Sequence, residues 1–261
     1  MTDLPNSLVA LFLLLVGLPL GSFYNVVAYR LPRGQTPWSP RRSHCPSCDA
    51  EIAARDNIPV ISWLLLRGRC RSCGAAISWR YPAFEALTAL LFAAAGWKFG
   101  LSRELVPALL LISTLVIVAN ADLDQRVVPN KVIVPALILG VAAQLFAVPD
   151  QWVTWTAAAL IAFSAMFLVA LVYPAGMGMG DVKLAAVLGL YLGRAVAPAM
   201  LIAFLTGTLV GLIVMARSGV AEGRKTALPF APFMAIGGVV GLFWGEQMVQ
   251  WYLDTFAAGP Q

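Results

Sequence analysis

Apolar residues fill most of this chain in long runs, separated by short polar or glycine-rich breaks. Eight runs stand out, at 8–29, 82–99, 104–121, 131–148, 154–173, 181–192, 195–216 and 228–251. A helix needs roughly 20 apolar residues to cross a bilayer, so the pattern predicts eight transmembrane helices. The sixth run is short for that purpose. The first is longer than a signal-peptide core, and nothing like a cleavage site follows it. One polar stretch, 31–81, is much longer than the other breaks and reads as a soluble insertion.

Composition agrees with the pattern. Of 261 residues 60% are hydrophobic and 12% charged, and the mean hydropathy is +0.80. These values exclude an ordinary soluble domain. The fold class is an all-α polytopic membrane protein of about eight transmembrane helices. Charge adds orientation. Nine arginines (Arg30, Arg33, Arg41, Arg42, Arg55, Arg67, Arg69, Arg71 and Arg80) lie between the first two runs. Arg126, Lys131, Lys183, Arg217, Arg224 and Lys225 fall on the same side if all eight runs cross. Only Lys98, Arg103 and Arg194 fall on the other. The positive-inside rule then places the long insertion in the cytoplasm and both termini outside it. The net charge of +5 is therefore topology and contact with membrane lipids. No nucleic-acid-binding motif is present, and nothing indicates an oligomeric state.

All four cysteines lie in the insertion, as Cys45-Pro46-Ser47-Cys48 and Cys70-Arg71-Ser72-Cys73. Two Cys-x-x-Cys knuckles at this separation read as a closed tetrahedral zinc site. Disulfides are disfavoured in the cytosol, and a redox pair explains two knuckles less well. A loop this small cannot build a sufficient core alone, so the Zn²⁺ would be structural. Gly68 and Gly74 suit tight turns beside the second knuckle. His44, the sole histidine, adjoins Cys45 and reads as solvated rather than as a ligand. Elsewhere, Arg30 is placed to snorkel to headgroups, and Glu85 reads as a membrane-interface residue or a lining of the active cavity, position favouring the interface. Gly21, Ser22 and Asn25 share one helix face and suit close packing. Gly207, Gly211, Gly237, Gly238 and Gly241 also suggest close helix contacts.

The chain's most unusual stretch is Gly176-Met177-Gly178-Met179-Gly180-Asp181-Val182-Lys183. Three glycines in five residues oppose helix formation, so the backbone is predicted to break here. A carboxylate at such a break in a membrane protein is a functional-site candidate. The plainer alternative is a glycine-rich loop with Asp181 as a helix N-cap. The predicted topology puts Asp181 at the cytoplasmic start of the sixth span and Asp122 at the cytoplasmic end of the third. Two carboxylates distant in sequence thus meet at one membrane level. Asp122 and Asp124 point to different helix faces, so only one of them shares a site with Asp181. Pro129 ends that region, and Asn130 is a candidate N-cap for the fourth span. Lys183 reads as a marker of the lipid interface.

Taken together, the motifs resemble the type IV prepilin peptidases, membrane aspartic proteases of the Gly-x-Gly-Asp class. The resemblance runs through Gly21-Ser22-Phe23, Asn25-Val26-Val27, Tyr29-Arg30-Leu31-Pro32, both knuckles, and Asp56-Asn57-Ile58-Pro59. It continues through Arg80-Tyr81-Pro82, Asp122-Leu123-Asp124 and Gly178-Met179-Gly180-Asp181. It implies Asp122 and Asp181 as the catalytic pair, with Asp124 as the alternative to Asp122 and Gly178, Gly180 and Lys183 in support. It also implies prepilin and type II pseudopilin substrates cut after Gly at the cytoplasmic face of the bacterial inner membrane. Members with the cysteine loop usually also methylate the new N-terminus with S-adenosylmethionine, the alternative being a peptidase without this activity, and no Gly-x-Gly-x-x-Gly places the donor. Three regions are expected: 1–100 with two spans and the zinc loop, 101–217 as peptidase core, and 218–261 with a loop and a last span. The rivals are a presenilin-like protease, against which the cysteine loop argues, and a proton-carrying transporter or scaffold.

Overall fold

The computed structural model describes residues 4–39, 42–174, 176–218 and 228–257. Arg41, Arg224, Lys225 and the rest of 219–227, within the loop expected before the last span, lie outside the described residues. The chain divides into two compact units, Met1–Leu105 and Val106–Gln261.

In the first unit α1 (Asn6–Arg30) returns, after the insertion and the short α2 (Ile61–Leu65), as α3 (Arg80–Phe99). Small residues let α1 and α3 touch along their backbones. A Cβ at Gly17 would lie 2.6 Å from Ala89 Cα, and one at Gly21 would lie 2.8 Å from Glu85 Cα. Asn25 Nδ2 donates to Tyr81 O at 3.1 Å, and Asn6 Nδ2 to Trp97 O at 2.9 Å. These contacts pair the start of one helix with the end of the other, so the hairpin is antiparallel and its register is fixed at both ends.

Two expectations fail in this unit. Glu85 does not face the lipid interface. It is 8% exposed and takes the Val60 N–H at 2.7 Å. Its partners are Val60 of the insertion and Ser22 of α1, which no local pattern reveals. Arg30 is likewise buried, and its Nη1 donates to Pro37 O at 2.9 Å instead of reaching headgroups.

The second unit holds α4 (Leu105–Gln125), α5 (Asn130–Ala147), α6 (Trp152–Val172), α7 (Met179–Leu192), α8 (Val196–Ser218) and α9 (Ala231–Tyr252). Its centre is α7, the shortest of the six at 14 residues. At 1.5 Å per residue that is about 21 Å, less than the ~30 Å hydrocarbon core. The helix is surrounded by protein: Val182, Leu184, Ala185, Val187 and Leu188 are fully buried. Gly189 meets the Ala158 carbonyl of α6. Gln144 of α5 donates to Leu190 O (2.8 Å) and Tyr191 O (3.0 Å), and Tyr191 Oη donates to Ala136 O at 2.8 Å. Burial in protein is the condition under which a short or broken helix persists at membrane depth.

Helix α9 closes this unit with a glycine stripe. Gly238 faces Leu188 of α7 and Leu115 of α4, and Gly241 and Gly237 face Ala199 of α8. Gly211 is different: its nearest neighbour lies 3.9 Å from a Cβ there, so it makes no close contact. Arg194 and Glu246 pair at 2.9 Å where α7 turns into α8.

Among the described residues, five stretches are long and apolar enough to cross a membrane: Asn6–Arg30, Leu105–Gln125, Asn130–Ala147, Pro149–Val172 and Met179–Arg217. The last contains α7 and α8. The other two helices expected to span fall below that apolarity. Helix α3 carries Arg80, Glu85 and Lys98, and α9 ends in Glu246, Gln247 and Gln250. The described chain is an all-helical, multi-pass membrane protein, and eight crossings are not established by this measure.

Candidate active site

The glycine-rich stretch is built differently from its sequence expectation. Helix α6 stops at Val172 and α7 begins at Met179, so the break ends before Gly180. None of Gly176, Gly178 and Gly180 has a positive φ. Gly180 is helical, and its role is space: a Cβ there would lie 2.7 Å from Val128 Cβ in the α4–α5 turn. At Gly178 there is room, the nearest atom to a Cβ being Asp181 Oδ2 at 3.7 Å.

Gly178 is the residue before the first helical one, which makes Asp181 the third residue of α7 rather than its cap. Its carboxylate reaches back to the Gly178 backbone N–H, half of a capping box. Asp122 lies in the last turn of α4, which runs on past 121 to Gln125 before Arg126, at φ 55, ends it. Asp122 is 5% exposed. Its Oδ2 accepts the Ala231 N–H at 3.1 Å, and Ala231 opens α9. Each carboxylate therefore satisfies a backbone donor at a helix N-terminus, where such donors lack partners within the helix. The two lie near enough for their charges to interact. Asp124 is exposed on the other side of the helix, so of the two carboxylates in Asp-Leu-Asp the structure buries Asp122.

Two contacts tie the α4–α5 turn to α7. One is Val128 against Gly180. The other is Lys183 Nζ, which donates to Asn130 Oδ1 at 3.0 Å. Lys183 thus has a protein partner, a role that its sequence context did not reveal. Asn130 is the first residue of α5, with Pro129 in the capping position. Sequence reasoning also missed Ala231, because its contribution is a backbone N–H and no side chain marks it.

The insertion carries two copies of one turn. In the first, Cys45 N–H bonds Ala50 O and Asp49 N–H bonds Cys45 O. In the second, Cys70 N–H bonds Ala75 O and Gly74 N–H bonds Cys70 O. Isolated bridges His44–Glu51 and Arg69–Ala76 close the two turns at equivalent places. The fourth residue after each leading cysteine is left-handed, Asp49 at φ 57 and Gly74 at φ 72. These turns gather Cys45, Cys48, Cys70 and Cys73 so that all four sulfurs lie within 4.8 Å of one another. Cys45 Sγ and Cys73 Sγ are 3.8 Å apart. That is far beyond a disulfide, but four sulfurs about 2.3 Å from a tetrahedral zinc would be about 3.8 Å apart. The backbone N–H groups of Ser47 and Cys48 hold the Cys45 thiol down to about 6, whereas Cys48, although lowered by the Ala50 N–H, is pushed up to about 12 by the Cys73 side chain and by burial. The cluster can hold a metal ion. His44 is exposed and outside it. Arg71, inside the second knuckle, forks onto Asp56 (2.8 and 2.7 Å) and keeps that carboxyl below its ordinary range.

Fold and site together define a multi-pass membrane protein with a paired-carboxylate centre and a cysteine cluster. Residues 15–99 match the bacterial peptidase A24 N-terminal domain, and residues 109–215 match the type IV leader peptidase family. The prepilin leader peptidase/N-methyltransferase of Bacillus subtilis (strain 168) is 38% identical over 242 residues, 92% of this chain and 96% of that protein. The protein of that name from Legionella pneumophila is 35% identical over 268 residues, 92% of each chain. That from Myxococcus xanthus is 40% identical over 225 residues, 84% of this chain and 67% of its own. No solved structure matches. The chain belongs to the type IV leader peptidase family.

Proposed function

We propose that this protein is a membrane aspartic endopeptidase. It removes the leader of type IV prepilins and type II pseudopilins after a Gly, then N-methylates the new terminus with S-adenosylmethionine. The observation that carries the peptidase reading is the approach of Asp122 and Asp181 from helices far apart in sequence. The names of the relatives support the substrate class and the second activity.

The chemistry follows from the pair. Two adjacent carboxylates share a proton, because both ionise together only at a cost. The ionised one acts as general base on water. The protonated one polarises the scissile carbonyl and then protonates the leaving amine. Gly178 is exposed next to Asp181, leaving room for an extended peptide beside the carboxylate. Gly180 and Lys183 fix the α4–α5 turn against the start of α7 and so position Asp181. Cys45, Cys48, Cys70 and Cys73 would hold a Zn²⁺ with all four positions filled, a structural role. The charge distribution supports eight spans in the bacterial inner membrane, with the aspartates facing the cytoplasm. The three-part division at 100 and 217 belongs to the same reading.

The purified protein, mixed with a prepilin with and without S-adenosylmethionine, tests this by intact mass. Wild type and Asp124→Asn should lose the leader, and Asp122→Asn and Asp181→Asn should not. A methyl mass should appear only with the donor. Cleavage by either of the last two variants would remove the proposed pair.

A further inference from the structure

A cavity of about 580 Å³ lies in the N-terminal unit, within the size range of small-molecule sites. Ser22, Phe23 and Arg30 of α1 form one wall, and Trp38, Asn57 and Pro59 of the insertion face it. The Phe23 and Trp38 rings lie 5.3 Å apart at 30°, and Trp38 keeps 72% of its surface exposed. Arg30 brings a buried guanidinium. Behind Ser22 sits Glu85, a buried carboxylate bonded to both Ser22 and the Val60 N–H. Val60 follows the cavity-lining Pro59 and has φ 62, an outlier for a β-branched side chain. Backbone strain of this kind collects at ligand sites. Neither peptide hydrolysis nor the cysteine cluster uses any of these groups.

We infer that this cavity is where S-adenosylmethionine binds, an inference resting on the methyltransferase half of the proposed function. Four features of the donor have counterparts here. The Trp38–Phe23 pair offers a face for the purine. Asn57 and Ser22 offer hydrogen bonds to ribose hydroxyls. The Arg30 guanidinium complements the donor's carboxylate, and Glu85, outside the lining but one hydrogen bond behind Ser22, would act on its sulfonium charge through that bond. In the transfer itself, the amine of the processed pilin attacks the methyl carbon. An N–C bond forms, the C–S bond breaks with its electron pair left on sulfur, and the amine's proton passes to water.

The test uses the full chain in detergent micelles. Ultraviolet light crosslinks bound S-adenosylmethionine to wild type, and peptide mapping finds the label. Calorimetry measures the affinity of wild type, Trp38→Ala and Glu85→Gln for S-adenosylmethionine and S-adenosylhomocysteine. Melting temperature and zinc content are read on each variant, so that unfolding is recognised. The label should map between Ser22 and Pro59. Trp38→Ala should weaken both ligands about tenfold, the scale of losing an aromatic platform. Glu85→Gln should selectively weaken the ligand carrying the sulfonium. A label within 106–257, or unchanged affinity in a folded Trp38→Ala, overturns this cavity and leaves the methyltransferase reading intact. A wild type that cleaves prepilin but binds neither ligand overturns that reading, and this inference with it.

Discussion

The cysteine cluster and the aspartate pair are assembled by opposite means. Each knuckle supplies two sulfurs from one tight turn, and the two turns share a hydrogen-bond pattern down to the left-handed residue at its end. The aspartates depend on three helices. Helix α4 brings Asp122, α7 brings Asp181, and α9 contributes the N–H that holds Asp122. Ligands assembled by local turns are set by spacing along the chain. A pair assembled by packing is set by whatever fixes the helices, including residues with no chemistry of their own. The cluster should therefore fail through its ligands, and the pair through its ligands and their packing alike.

The sharpest break in this comparison is Asp122→Asn. Asparagine still offers an oxygen to the Ala231 N–H, so α9 stays docked while the carboxylate is lost. Cleavage should fall by roughly 10²–10⁴-fold with little change in melting temperature. A large drop in melting temperature would make Asp122 a structural cap first. Next comes the metal. Chelation or Cys70→Ser should release zinc and open the insertion to protease, because metal binding and folding are one event in such loops. Metal analysis and limited proteolysis read this, and an unchanged digestion pattern would contradict it.

Third, Gly180→Val overpacks against Val128 and should cost about 1–3 kcal/mol, lowering both stability and cleavage. Gly178→Ala, with room for its methyl, should spare stability. Equal stability losses would remove the spatial account of Gly180. Fourth, Lys183→Met removes one hydrogen bond to Asn130, worth about 0.5–1.5 kcal/mol. The rate of cleavage should drop by up to about tenfold, and Lys183→Arg should recover part of it.

The smallest effect is a pH dependence in the insertion. Arg71 holds the Asp56 pKa below its unfolded value of about 3.9. The pair's contribution is complete above that value and fades as pH falls through the lower folded pKa. Acid unfolding of the insertion should therefore become less steep in Asp56→Asn, measured by circular dichroism.

What the sequence revealed follows the same division. The cysteine spacing alone pointed to a metal cluster, since each turn is local. Apolar runs found every long helix to within a few residues. The faces of Asp122 and Asp124 were separable by helical period, but which one is buried needed α9. Position along the chain points Lys183 to the lipid interface and Glu85 to that interface or the active cavity, and it reveals neither one's protein partner. Their partners, Asn130 and Val60, come from segments 53 and 25 residues away, beyond the reach of any local pattern. Gly180 also misled: glycine reads as a helix breaker by propensity, yet here it is a helical residue kept small by a neighbour.

The bond from Ala231 to Asp122 also has a consequence for biosynthesis. The N–H that holds this carboxylate belongs to a helix made 109 residues after Asp122. Until that helix inserts, a nascent chain carries both aspartates and both knuckles yet lacks the contact that fixes one of them. Competence to cut would then arrive in a single late step, so half-made chains stay inert towards the pilins maturing in the same membrane.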